Sequence, residues 1–320
     1  MAAQDMHLSI VVSVYNEEEA LEAFWAELKQ ELAKLEGIIP EVIFVNDGST
    51  DRSEIVLESI CRQEDPPFQV KAIHFSRNFG HEAAMIAGID VSTAGAIVCM
   101  DADLQHPPAK IGQMIQAFLQ GYDIVTMTRS ARQDGGRLKR LFSRIFYRFI
   151  NRLSPIQFQE NASDFFLISG RVAEVLKREF RERTRLIRGI IQVVGFPRTS
   201  LEFVAPKRVG GRSKYSFGSL LGLTVSAVIA YSKLPLYIGL VLGALFALFS
   251  ISVGIYSLVV YIFFATPPPG YTTLILFVSL AFSILFFLIG IIGVYIGFTF
   301  EENRRRPIYI TRKKTGFKES

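Results

Sequence analysis

Along the first part of the chain, short apolar runs alternate with polar corners and then with longer stretches of helical spacing. Leu8 to Val14, Val42 to Asn46, Val70 to Phe75, Ala96 to Met100 and Asp123 to Thr128 are the runs. Each is short, rich in β-branched residues and bounded by turn-forming residues, the pattern of a buried strand. Helical stretches between them reach to about Leu35, Arg62, Asp90 and Gln120. Glu17, Glu18 and Glu19 open the first of these, where a helix dipole favours negative charge. Strands alternating with helices predict an α/β fold with a mostly parallel sheet and right-handed crossovers.

The pattern changes after Arg129. Arg137, Arg140, Arg144, Arg148 and Arg152 recur at three or four residues, with Leu138, Leu141, Phe142, Ile145, Phe146, Phe149 and Leu153 between them. This spacing predicts a basic amphipathic helix over 137–153, lying in a membrane interface or packed on the domain's own core. Further on, residues 234–300 contain no Asp, Glu, Lys or Arg. That is long enough for two membrane spans at roughly 20 residues each. Residues 234–264 and 272–300 are expected to be the spans, with 265–271, including Pro267-Pro268-Pro269-Gly270, as the outer turn. Residues 216–233 are apolar but interrupted by small and polar residues, and are read as a juxtamembrane interfacial helix. Basic residues flank the region at Lys207 to Lys214 and at Arg304 to Arg306. The positive-inside rule puts both flanks in the cytoplasm, which requires an even number of spans. The expected organisation is a catalytic domain over 1–215, the interfacial helix, the two-helix hairpin, and a basic cytoplasmic tail over 301–320.

Composition sharpens this picture only in part. Half of the 320 residues are hydrophobic and the net charge is +5. With apolar spans present, an anionic membrane surface explains the excess positive charge better than nucleic acid does. Cys61 and Cys99 are the two cysteines, so no disulfide framework is indicated. The residues before Leu8 lack a basic signal-peptide region, which agrees with a cytoplasmic first domain.

The polar corners carry the candidate chemistry. Asp101 and Asp103 follow the fourth strand, one residue apart, so both can face one ligand. In open α/β sheets ligands bind at the carboxyl ends of strands, and paired oxygen ligands there suit Mg²⁺ or Mn²⁺ holding a diphosphate. The plainer alternative is an Asx-turn with a helix cap. Glu17 and Asp47 end two neighbouring strands in the same way. No glycine-rich turn follows the first strand and no P-loop is present, which argues against nicotinamide, flavin and P-loop nucleotide domains. Ser49, Thr50 or Asp51 can cap the second helix. Arg77 and His81 reach a phosphate or solvate a helix start.

Taken together, Val-Tyr-Asn-Glu-Glu at 14–18, Val-Asn-Asp-Gly-Ser-Thr-Asp at 45–51, Ser-Arg-Asn-Phe-Gly at 76–80 and Met-Asp-Ala-Asp-Leu-Gln-His-Pro-Pro at 100–108 resemble the family-2 glycosyltransferases of the GT-A fold. The match is closer to their polyprenyl-phosphate branch, which includes bactoprenol glucosyltransferases and dolichol-phosphate-mannose synthases. Ser13 departs from the pattern, since relatives usually carry proline there, and the departure is expected to matter little. The resemblance implies that Tyr15, Glu17, Asp47, Arg77 and Asp101 bind the nucleotide. It implies that Asp103, with help from Gln105, binds the metal. It makes Asp103 and Asp164 the catalytic candidates, Asp164 as a base or as an organiser of the acceptor site. Arg129, Arg137, Arg208, Arg212 and Lys214 are the candidates for the acceptor phosphate. The last three lie on a glycine-bearing basic loop just before the membrane segment, where cations and backbone N–H groups suit an anion.

The expected activity is an inverting transfer of glucose from UDP-glucose to undecaprenyl phosphate on the cytoplasmic leaflet of a bacterial inner membrane. GDP-mannose and UDP-amino sugars are the alternative donors. A processive polysaccharide synthase is the next alternative; such enzymes carry a Gln-x-x-Arg-Trp segment near the membrane, whereas the one tryptophan here is Trp25. A non-catalytic lipid-phosphate-binding protein is the remaining alternative. A homo-oligomer and a downstream flippase stay open as partners.

Overall fold

The computed structural model describes residues 6–63, 68–130, 162–182, 187–204, 206, 234–264, 270–304 and 306–317. The chain divides into two compact units, Met1–Lys214 with Arg306–Ser320, and Tyr215–Arg305.

The first unit is an α/β layer structure. In chain order it holds β1 (Met6–Val14), α1 (Leu21–Leu32), β2 (Ile38–Asn46), α2 (Ser53–Arg62), β3 (Gln69–Phe75), α3 (His81–Val91), β4 (Ala96–Asp101), α4 (Ile111–Leu119) and β5 (Ile124–Arg129). Then follow β6 (Ala162–Ser169), α5 (Gly170–Glu179), α6 (Ile187–Val193), β7 (Arg198–Phe203) and, after the second unit, β8 (Thr311–Thr315). The alternation read from the sequence is present, with each strand within a few residues of its expected bounds. A single 3₁₀ turn, Pro108–Lys110, precedes α4. Proline suits that first turn because its missing N–H has no partner to lose.

Eight strands form one sheet in the order β7-β5-β6-β4-β1-β2-β3-β8. β6 runs antiparallel to β4 and to β5, and β8 runs antiparallel to β3. The others share one direction, so their carboxyl ends gather along one edge. Alternation along each strand feeds two cores. Ile10, Val12 and Phe44 face Phe24, Trp25 and Leu28 of α1, Leu57 of α2 and Met114 of α4. Val11, Ile43, Val45 and Ile73 face the buried run Ala83 to Ile89 of α3, with Val172 and Leu176 of α5. Gly88 makes this second contact close: a Cβ there would stand 2.2 Å from Val11 Cγ1. Close seating of α3 on β1 carries its first residue, His81, to the carboxyl edge.

β8 (Thr311–Thr315) lies in the tail that the sequence suggested only as basic. It covers the outer edge of β3, pairing Ala72 with Thr315 and His74 with Lys313. Arg312 and Lys313 reach Glu54 and Glu58 of α2. Tyr309 stacks on Phe75 with ring centroids 5.1 Å apart and donates to Asp90 at 2.9 Å.

The second unit contains α7 (Leu234–Phe264) and α8 (Tyr271–Asn303). Both are long and apolar enough to cross a membrane. They pack through Phe246, Phe249 and Phe277, the first and last stacked at 5.4 Å. The rest of their apolar surface is open: Leu240 is 69% exposed and Phe263 76%. The hydroxyls of Ser250, Ser252, Ser283 and Thr299 donate to carbonyls one turn back in their own helix, so each is satisfied without a partner outside it. The expected helices over 137–153 and 216–233, and most of the expected turn 265–271, lie outside the described residues.

Candidate functional site

The loops after β1 and β2 are clasped to each other by reciprocal hydrogen bonds. Asn16 N–H donates to Ser49 Oγ at 3.0 Å, Glu17 N–H to Ser53 Oγ at 2.9 Å and Glu18 N–H to Asp51 Oδ2 at 3.2 Å. In return Thr50 N–H donates to Asn16 Oδ1 at 2.8 Å and Arg52 N–H to Glu18 Oε2 at 2.8 Å. Ser49 and Thr50, read from sequence as possible caps for α2, thus join two loops instead. Asp51 does both, since its Oδ1 accepts from Ser53 N–H at 2.9 Å. The clasp leaves Tyr15 exposed and Glu17 half-buried at the strand edge.

Asp47, directly after β2, is buried. Its carboxylate accepts from Phe79 N–H at 2.6 Å and from Gly80 N–H at 3.0 Å. Burial pushes its carboxyl up, partly offset by those two N–H groups and by His81. Gly48, at φ +65°, lets the loops touch, since a Cβ there would stand 2.3 Å from the Arg77 carbonyl carbon. Asp47 therefore fastens the loop that carries Arg77 and His81. Arg77 itself is exposed, with its guanidinium 4.4 Å above the Phe79 ring.

The acidic corner after β4 is held differently. Ser13 and Asp101 are register partners across β1 and β4. Ser13 Oγ–H donates to Asp101 Oδ1 at 2.7 Å, and the same oxygen lies 2.8 Å from His81 Nδ1. A hydroxyl has one proton, and a carboxylate can only accept, so His81 carries its hydrogen on Nδ1 and donates to Ser13. His106 has the opposite tautomer. Its Nδ1 accepts from Asp101 N–H at 3.0 Å, so its Nε2–H donates to Ser163 Oγ at 2.6 Å. Burial works against charge on Asp101, but His81, His106, the Ser13 hydroxyl and Arg129 outweigh it and hold the carboxyl below the usual carboxylate range. Burial pushes the His106 imidazole below its usual range despite Asp101 and Asp103 nearby. Asp103 is 8% exposed, and its Oδ1 accepts from the N–H of the equally buried Gln105 at 3.0 Å. Between them Leu104 sits at φ +61°, a left-handed backbone that a branched side chain adopts at a cost of order 1 kcal/mol.

Asp164 enters from β6. Its Oδ1 lies 2.8 Å from Arg188 Nε of α6, and its Oδ2 lies 3.7 Å from His81 Nε2. Next to His81, Glu82 accepts from Ile187 N–H at 2.9 Å. Burial, and then the Asp164 charge, push its carboxyl up to about 7. Desolvation opposes charge on His81, yet Asp101, Asp164 and Glu82 together raise its imidazole above the usual range.

The structure thus brings Asp101, Asp164 and Arg129 into one electrostatic group with His81, and Asp103 and Gln105 into the adjoining turn. Arg137, Arg208, Arg212 and Lys214 lie outside the described residues. Sequence reasoning missed His106, Ser163, Glu82 and Arg188, and undervalued Ser13. The signal for Ser13 was available, because a polar residue ending the strand beside β4 falls level with Asp101. Among the described residues no group of three or more His, Cys, Asp or Glu side chains forms a closed metal site. One carboxylate with an amide oxygen does fit Mg²⁺ or Mn²⁺, which take one or two protein carboxylates and complete their shell with phosphate and water.

Residues 9–176 match the family described as Glycosyl transferase family 2. Over 315 residues the chain is 35% identical to an uncharacterized glycosyltransferase of Bacillus subtilis, covering 98% of this chain and 96% of the relative. It is 34% identical over 305 residues to an uncharacterized glycosyltransferase of Synechocystis, covering 95% and 94%. It is also 34% identical over 309 residues to the bactoprenol glucosyl transferase of Shigella phage SfX, covering 97% of this chain and 100% of that one.

Proposed function

The chain belongs to glycosyl transferase family 2, and from that premise we propose that it moves glucose from UDP-glucose to the phosphate of a polyprenyl lipid such as undecaprenyl phosphate. The observation that carries this reading is the meeting of two acidic groups at one sheet edge: Asp101 at the end of β4 with Asp103 in the turn after it, and Asp164 from β6. Similarity along nearly the whole length to a relative named for bactoprenol glucosyl transfer supports the lipid acceptor.

Asp103 and Gln105 would hold a divalent cation on the donor diphosphate. When bound, that ion supplies positive charge against the charge that builds on the departing nucleoside diphosphate. Tyr15, Glu17, Asp47, Arg77 and Asp101 line or brace the nucleotide side. Asp101, kept ionised by two histidines, Ser13 and Arg129, is suited to accept hydrogen bonds from a ribose or base. The acceptor's second phosphate pKa lies near 6, so at neutral pH its oxygen is already nucleophilic and needs positioning more than deprotonation. Asp164 then acts by ordering cations around the acceptor, Arg188 among them, its Nε 2.8 Å from Asp164 Oδ1. Arg129, Arg137, Arg208, Arg212 and Lys214 complete the proposed acceptor side. Attack from the face opposite the diphosphate inverts the anomeric centre.

The tail strand supports a membrane topology. Residues 306–317 belong to the same folded unit as residues 6–204. A folded unit occupies one side of a bilayer, so the chain leaves and returns on that side and crosses an even number of times. This agrees with the basic flanks and with two spans, and favours the cytoplasmic leaflet.

The test is a donor panel. Full-length protein with undecaprenyl phosphate is offered UDP-glucose, GDP-mannose and a UDP-amino sugar, with and without excess chelator. We expect glucose transfer that chelator abolishes. Transfer of another sugar alone would replace the donor, undiminished turnover in chelator would remove the metal, and no transfer from any donor would overturn the reading.

A further inference from the structure

The pairing of β4 with β6 ends at Cys99 opposite Phe166. Continued by two residues on the same face, it sets Asp101 level with Asp164. Like charges directly across two strands repel, so something must stand between them. His81 does: its Nδ1 lies 3.3 Å from Asp101 Oδ1 and its Nε2 lies 3.7 Å from Asp164 Oδ2. A helix N-terminus ordinarily disfavours a cation, and His81 is the first residue of α3. Here the carboxylates of Asp101, Asp164 and Glu82 surround it, with Ser13 on β1 and Arg188 on α6 completing its shell.

We propose that His81 is a positioning residue that links the donor and acceptor halves of the site, its Nδ1–H tied through Ser13 to Asp101 and its Nε2 side set at ion-pair distance from Asp164. The inference rests on the transfer reaction proposed above and assigns a division of labour within it. The Nδ1 side fixes Asp101, which meets the nucleotide. The Nε2 side, with Arg188 on the other oxygen, fixes the direction of the Asp164 carboxylate, which meets the acceptor. One ring therefore sets the distance between the two halves, and α3, seated on Val11 through Gly88, sets the ring.

Two amide substitutions separate the two sides. In His81→Asn the amide nitrogen stands near the Nδ1 position and keeps the Ser13 contact, but it is too short to reach Asp164. In His81→Gln the amide nitrogen stands near Nε2 and reaches Asp164 without Ser13. Each lost contact involves a charged group, so roughly tenfold effects are expected at this partly exposed site. With full-length protein, UDP-glucose and undecaprenyl phosphate, His81→Asn should lower kcat roughly tenfold and leave the KM for UDP-glucose near wild type. His81→Gln should raise that KM roughly tenfold and lower kcat less. Equal changes in one parameter for both variants, or no change in either, overturn the linkage. A readout that needs no turnover distinguishes this from failure of the reaction itself. Nitrogen-15 histidine spectra of the full chain in lipid should show His81 protonated on both ring nitrogens, since a bare Nε2 would turn a lone pair toward the Asp164 carboxylate. Ser13→Ala should shift that signal. A ring lacking the hydrogen on either nitrogen would overturn the proposal even if transfer is confirmed, and the expected spectrum would sustain the geometry if transfer is not.

Discussion

Strands β2 and β4 flank β1 on either side and both run into aspartate at the same sheet edge, but their carboxylates are held by different partners. Asp47 faces backbone: the N–H groups of Phe79 and Gly80 occupy it, and it cannot turn without releasing a loop. Asp101 faces side chains: the Ser13 hydroxyl and the His81 imidazole hold its carboxylate with protons that can move, while His106 accepts from its main-chain N–H. A carboxylate anchored to main chain shapes a site, whereas one held by adjustable side chains can respond to a ligand. Residue type and sheet edge are the same in the two corners, but Asp101 ends β4 level with Val45 while Asp47 stands two positions further along, one past β2, where the loop carrying Phe79 and Gly80 meets it.

The sharpest way to break the comparison lies beside the second corner. Asp103→Asn should reduce sugar transfer about a hundredfold or more, because an amide is a poor ligand for a hard dication. The amide oxygen can still accept from Gln105 N–H, so the thermal midpoint should stay at the wild-type value. A normal turnover would show that the corner needs no cation. At the first corner the effect should fall on stability instead. Asp47→Asn leaves one neutral oxygen for two N–H groups and should cost about 2 kcal/mol, read as a lower thermal midpoint in detergent. If stability were untouched and only nucleotide affinity fell, Asp47 would belong with Asp101 after all.

The smallest effect concerns the shared flank of α3. The Glu82 carboxyl is raised to about 7 in the fold, so between about 4.5 and 7 the folded chain holds a proton that the unfolded chain has lost. Stability therefore falls as pH rises through that window. His81 is raised as well; its contribution is whole below about 6.5 and is lost as pH climbs through its folded value, in the same sense. Glu82→Gln should remove about 1–2 kcal/mol of this slope, after allowance for solvent screening, seen as a flatter thermal midpoint from pH 5 to 7. An unchanged slope would mean that Glu82 keeps an ordinary carboxylate in the fold.

Much of this is legible in the sequence. The strands β1 to β5 announce themselves because a strand buried on both faces needs an unbroken apolar run, and Ile10, Val11 and Val12 supply one. The two long helices are equally plain, since no charge interrupts 234–300. The acidic corner is visible because two aspartates one residue apart end such a run. Thr311 to Thr315 was not visible as a strand. Its Arg-Lys-Lys centre has no apolar face, and it pairs because β3 offers an open edge and α2 offers two glutamates. His106 and Arg188 were hidden for another reason: their partners, Ser163 and Asp164, come from β6, and only the antiparallel insertion of β6 beside β4 makes them neighbours. Local pattern reports which residues are buried, while pairings between distant strands decide which polar groups meet.

The tail strand also carries an order of events. A ribosome delivers β8 after every other strand and after both apolar helices, so β3 remains an open edge throughout synthesis of the second unit. An unpaired edge is a template for wrong partners, and here it is closed only once both helices have emerged and the chain has come back to the sheet. Arg312 and Lys313 then meet Glu54 and Glu58, and Tyr309 covers Phe75. Completion of the sheet therefore comes late, and a chain stalled before the end of α8 keeps the β3 edge without β8.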